Sequence, residues 1–239
     1  MPAPTQSTAS RSTTGFFAAE YADSAGVDLV NSSLGYSHSY SDPSMSWQVS
    51  DMDGKTTIIA QAAQWLSDRG VMVVSSAGNE GGLLSQWKKV TSPADVGDVL
   101  SVGSVHASRF LSAFSSIGPT ADGRLKPDVL GMGGNTVVIN RQGLVSTASG
   151  TSFASPLVAG LVAGIWQRAS SLSPAALRDS LRHTSSRASS PDTLVGYGLP
   201  NYLVFFGETV TDTAPEMAKP GISCFSHLIG RGIDRGGAN

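Results

Sequence analysis

The chain has 239 residues, of which 40% are apolar, 14% charged and 27 glycine, with a formal net charge of −2. That length can bury a sizeable core as one α/β domain with many tight turns, and the near-neutral charge gives no case for a nucleic-acid partner. The one cysteine, Cys224, excludes an intrachain disulfide, and the longest apolar run, Leu157 to Trp166, is too short to span a membrane.

In chain order, residues 1–15 are rich in Ser, Thr, Pro and Ala without apolar periodicity, and they read as a disordered arm. Met1-Pro2-Ala3-Pro4-Thr5 lacks the charged-then-apolar pattern of a signal peptide, so export is not encoded here. Asp28 to Gly35 reads as a short strand ending in small residues. Thr56 to Arg69 carries a helical stripe of Ile58, Ile59, Ala62, Trp65 and Leu66, with Gly70 as its stop. Val71 to Ser76 is a β-branched run of the kind found in buried parallel strands, and it ends in Ala77-Gly78-Asn79. Strand, helix and strand make a βαβ unit, whose right-handed crossover puts Ser33-Leu34-Gly35 and Asn79 at one carboxyl edge of a parallel sheet, where ligands bind in such folds. Val99 to Val105 continues the sheet. Ala113 to Pro119 reads as a short strand and a Gly-Pro turn, and Lys126-Pro127-Asp128-Val129 as an extended segment. The helix from Ser152 to about Ala169 is apolar nearly all round, which predicts a central buried helix, with Ala154, Gly160, Ala163 and Gly164 allowing close neighbours. Ser173-Pro174 opens an amphipathic helix. Residues 207–239 lose periodicity and read as a flexible tail.

The chemistry concentrates at Ser149-Gly150-Thr151-Ser152-Phe153-Ala154-Ser155-Pro156. A serine among small residues at a helix start lies beside unpaired backbone N–H groups and the positive end of the helix dipole, where a developing oxyanion is stabilised. An ordinary helix cap would explain Gly-Thr-Ser alone. The full octapeptide resembles the G-T-S-x-A-x-P signature of subtilisin-like serine peptidases, the subtilases, with Ser152 at the nucleophile's position. It is not a G-x-S-x-G elbow, because Ala154 stands where that motif needs glycine. Ala77-Gly78-Asn79 is similar to the family's oxyanion-hole asparagine segment, and Ser33-Leu34-Gly35 to the segment whose backbone pairs with an extended substrate. Ala113 to Pro119, Lys126 to Val129 and Gly196 to Asn201 resemble family segments in the same order. The resemblance covers residues 16–206. It implies a truncated doubly wound parallel sheet with helices on both faces, a polypeptide substrate, catalytic Ser152 and Asn79, and substrate-binding Ser33, Leu34, Gly35, Ala77 and Gly78; no metal ligand and no cofactor is read from the residues. It also implies a secreted or cell-surface setting.

The family's aspartate and histidine lie N-terminal to these motifs, in the order Asp, His, Ser, and no segment here matches them. His38 follows the Ser-Leu-Gly edge in a polar loop; His106, His183 and His227 have no catalytic context. Without a base the serine hydroxyl stays protonated and is a poor nucleophile. Asp51-Met52-Asp53-Gly54 lacks the remaining ligands of a calcium loop and reads as capping. Gly54-Lys55-Thr56 lacks the first glycine of a phosphate loop. The sequence therefore predicts the C-terminal part of a serine endopeptidase domain with little activity alone. The alternative is a peptide-binding or interaction module that has shed its catalytic groups. Its partners are a polypeptide and either the missing N-terminal segment or a second copy, paired through an exposed sheet edge.

Overall fold

The computed structural model describes residues 8–38 and 46–208. Its centre is a four-stranded parallel sheet in the order β1 (Leu29–Ser32), β2 (Met72–Ser76), β3 (Leu100–Val105), β4 (Val129–Met132). Both middle strands are buried along their whole length, as expected of runs covered on two faces. Side chains alternate across the sheet. Met72, Val74, Leu100, Val102 and Val129 face α3 (Thr151–Arg168) and α4 (Pro174–His183), whereas Val71, Val73, Val96 and Val99 lie in a second cluster with α2 (Ile58–Asp68) and Ala19 of α1 (Thr8–Ser24). Helices thus cover both faces. The chain ends its described part in the short α5 (Tyr202–Phe205).

Local chemistry sets the boundaries. The Thr57 hydroxyl accepts the Ala60 N–H at 3.1 Å and caps α2. Gly70, at φ 84°, supplies the left-handed stop that other residues resist. Ser173 caps α4 through the Ala176 N–H at 3.2 Å, with Pro174 at the first helical position.

Three expectations are corrected. The supposed disordered arm over residues 1–15 is helical from Thr8, and residues 1–7 lie outside the described ones. Burial of Phe16, Ala19 and Ala22 against α2 and the β1 region outweighs the weak local propensity of this segment. Ala113 to Ser116 forms turns, not a strand, because its backbone and hydroxyls bond to neighbouring loops and strands: Ser115 Oγ accepts the Ser104 N–H at 3.0 Å and Ser116 N donates to Gly78 O at 2.9 Å. Helix α3 is buried on one side, along Thr151, Ala154, Ser155, Val158, Ala159, Val162 and Ile165. Its opposite side is open: Leu157 is 53% exposed, and a Cβ added at Gly160 or Gly164 would meet nothing within 4 Å. An antiparallel hairpin, β5 (Thr136–Ile139) with β6 (Val145–Ala148), precedes α3 and had no sequence-level expectation. The tail from 209 to 239 lies outside the described residues.

Below the sheet sits a buried ion cluster. Lys126 Nζ donates to Asp128 Oδ2 at 2.7 Å and to Val99 O at 2.6 Å, and Arg182 Nε donates to Asp128 Oδ1 at 3.0 Å. Burial pulls the Lys126 ammonium down to about 8 against the attraction of Asp128. Burial alone would raise the Asp128 carboxyl, but Lys126 and Arg182 together hold it below its ordinary value. This cluster joins the segment leading into β4 to α4.

Strand β1 pairs with β2 on one side only, so its outer edge has no strand partner among the described residues. A cavity of about 210 Å³ lies against it, lined by Ala18, Ala19, Val30, Ile59, Ala63 and Leu66 among others. No helix among the described residues is long and apolar enough to cross a membrane.

Candidate active site

The carboxyl ends of β1 and β2 and the amino end of α3 converge. Asn79 is exposed just past β2. Its Oδ1 accepts both the Thr151 backbone N–H at 2.8 Å and the Thr151 hydroxyl at 3.0 Å. The carboxamide therefore satisfies one of the orphan donors of the helix start, and that fixes which way it points: its oxygen faces the helix, and its NH₂ is left to donate elsewhere. No acceptor among the described residues takes that NH₂, and a Cβ added at Gly150 would lie 3.5 Å from it. The Thr151 hydroxyl in turn accepts the Gly78 N–H at 3.2 Å, so Gly78, Asn79 and Thr151 form one bonded unit.

Ser152 is half-buried at the second position of α3. Its hydroxyl donates to the Ser33 carbonyl at 3.0 Å, and the Ser33 hydroxyl donates to the Ser152 carbonyl at 2.9 Å. Asn31 and Ser155 extend this link: Asn31 Nδ2 donates to Ser33 Oγ at 3.1 Å and Ser155 Oγ donates to Asn31 Oδ1 at 2.7 Å. Asn31 and Ser155 carry no functional signal in the sequence, although Ser155 lies inside the octapeptide. Leu34, 60% exposed, and Gly35 stand on one side of the site. The buried Ala77 and Gly78 stand on the other. Both glycines press on Thr91, since an added Cβ would meet its side chain at 2.5 Å from Gly35 and 2.9 Å from Gly78. No bulkier residue fits there without a shift, and Gly78 also has φ 111°.

No histidine among the described residues bonds to Ser152. His38 stacks on Trp87 with ring centroids 4.8 Å apart and approaches Glu80 at 4.0 Å. His106 lies against Gly134, His183 Nδ1 pairs with Asp179 O at 2.7 Å, and His227 is outside the described residues. No group of three or more His, Cys, Asp or Glu among the described residues is placed to hold a metal. Asp53 instead accepts the Lys55 and Thr56 N–H groups, each at 2.8 Å, and so shapes the turn into α2.

A parallel α/β sheet with an asparagine and a helix-borne serine at its carboxyl edge defines the class, and comparison with known proteins defines the family. The model of the subtilase family matches residues 4–198. The chain belongs to that family. It is 30% identical over 167 residues to Subtilisin DY of Bacillus licheniformis, covering 70% of this chain and 53% of that protein. It is 32% identical over 134 residues to the subtilisin-like protease SBT6.1 of Arabidopsis thaliana, covering 51% and 13%. The chain thus spans about half or less of these curated relatives. Among solved structures, the prenylagaramide maturation protease PagA superposes with a TM-score of 0.62 at 21% identity, covering 83% of this chain and 69% of that one. That likeness shows the subtilisin-like fold.

Proposed function

We propose that this chain carries the nucleophile and oxyanion-binding part of a serine-type endopeptidase domain. Ser152 is the nucleophile, Asn79 Nδ2 and the Ser152 N–H are the oxyanion donors, and Ser33-Leu34-Gly35 with Ala77-Gly78 hold the substrate backbone. The observation that carries this reading is the anchored carboxamide of Asn79: its oxygen is spent on Thr151, which leaves its donor free one residue from Ser152. In the reaction Ser152 Oγ bonds to the scissile carbonyl carbon, the carbonyl oxygen gains the charge, and the hydroxyl proton passes to a base. No described histidine supplies that base, so the chain alone hydrolyses peptides near background and its full activity needs the acid and base from further polypeptide.

The open edge of β1 is where such polypeptide, in cis or in trans, would pair its backbone, with apolar side chains entering the adjoining cavity. A second reading, a non-catalytic peptide-binding module, is favoured by the Ser152 hydroxyl being bonded to the Ser33 carbonyl. Adding a segment that bears the family's aspartate and histidine separates the two. Peptide cleavage that appears with it and vanishes in Ser152→Ala supports the peptidase; stable assembly and peptide binding with no cleavage supports the module.

A further inference from the structure

The β5–β6 hairpin is a two-stranded sheet of its own, outside the central one. Its register pairs Val137 with Thr147 and Ile139 with Val145, so by alternation Val137, Ile139 and Val145 share one face. Each is more than two-thirds exposed, and Leu144 exposes a further apolar side chain at the turn. Thr136, Val138 and Ala148, on the other face, are half-buried. Contiguous exposed apolar side chains of this kind mark an interaction surface.

Two further observations say what it meets. The backbone of the turn is bonded within itself: Asn140 Oδ1 accepts the N–H groups of Gln142 and Leu144, each at 3.0 Å, Gly143 N donates to Asn140 O at 3.0 Å, and Asn140 N donates to Leu144 O at 2.9 Å. Amides paired in this way can leave water without the cost that unpaired ones carry. The charge is also of one sign, since residues 99–111 and 129–178 contain no Asp or Glu. Arg141 is exposed in the turn, and Arg109 and Phe110 are exposed in the loop against the hairpin's base, where a Cβ on Gly134 would collide with the His106 ring. Neither arginine has an ionic partner among the described residues.

We propose that, independently of any peptidase activity, the β5–β6 hairpin docks on an anionic lipid surface, its apolar face entering among the headgroups while Arg141 and Arg109 meet lipid phosphates. Apolar burial and the attraction of cations to anionic lipid act together in such binding, and a guanidinium is suited to phosphate. A second copy applying the same face would offer apolar side chains but no carboxylate for the arginines.

The test is flotation of the full chain with vesicles of phosphatidylcholine, and with vesicles of phosphatidylcholine and phosphatidylserine in equal parts; vesicle-bound protein rises and aggregated protein sinks. The expected result is binding to the mixed vesicles roughly tenfold tighter than to phosphatidylcholine alone, weakening as salt rises. Arg141→Glu should remove most of that preference. Ile139→Ser combined with Leu144→Ser should weaken binding to both compositions by roughly tenfold, with an unchanged circular dichroism spectrum because both side chains are exposed. Flotation that is absent, equal for the two compositions, or unaffected by the variants overturns the proposal. So does a wild-type chain that does not float but loses its oligomers in Ile139→Ser with Leu144→Ser, a result that gives the face to a second copy.

Discussion

The Ser33 hydroxyl donates to the Ser152 carbonyl at 2.9 Å, and the reason lies four residues on. In a regular helix that carbonyl would accept the N–H of residue 156, but Pro156 has none. The proline that marks the octapeptide thus frees the carbonyl of the serine, and β1's end fills the vacancy. This ties the strand that would hold substrate to the residue that would attack it.

Removing that hydroxyl in Ser33→Ala should cost about 1 kcal/mol, since it takes the side-chain donor from a carbonyl that Pro156 cannot serve. For a chain of this size that corresponds to a melting temperature lowered by roughly 2–4 °C. Differential scanning calorimetry checks it, and an unchanged melting temperature would show that solvent satisfies the Ser152 carbonyl equally well.

Asp128→Asn should be far more damaging. It leaves Lys126 buried and takes the carboxylate from Arg182, a change that costs about 3–5 kcal/mol when one partner of a buried pair is removed. Urea denaturation should show a lower midpoint at unchanged slope.

The same carboxylate sets an acid limit. Its pKa in the fold is lowered, so its stabilising contribution is fully present above the ordinary carboxylate value and is lost as pH falls through the folded value. The midpoint of thermal unfolding should therefore be flat near neutrality and fall in the acid range. Asp128→Asn should flatten that fall.

Strand β1 has no strand partner along its outer edge among the described residues, and Leu34 and Leu157 are exposed at 60% and 53%. Such an edge pairs readily with other chains, so light scattering should find the isolated chain oligomerising or aggregating as concentration rises. A monodisperse monomer with a sharp two-state melt would contradict this.

Much of this was legible in the sequence because the signals were local. The β-branched run Val71 to Ser76, the Gly70 stop and the Ser173-Pro174 start each follow from local residue chemistry and need no tertiary partner. The shared carboxyl edge of Ser33-Leu34-Gly35 and Asn79 was legible from strand order, and the meeting of Asn79 with the serine helix from the family resemblance. What escaped depended on packing. The helix over residues 8–24 is decided by Phe16 and Ala19 finding α2, and the open face of α3 by what does not cover Gly160. Asn31 looked like an ordinary strand polar residue, and only the fold brings it to Ser155, 124 positions later.

The most direct test of the central claim measures peptide cleavage when the chain is mixed with a segment bearing the family's aspartate and histidine, in wild type, Ser152→Ala and Asn79→Leu. The account predicts near-background hydrolysis by the chain alone and clear cleavage in the mixture. Ser152→Ala should abolish that cleavage, and Asn79→Leu should reduce it by about 10²–10³, the loss found when a subtilisin loses such a donor. Cleavage that persists in Ser152→Ala, or that is indifferent to Asn79→Leu, would contradict it.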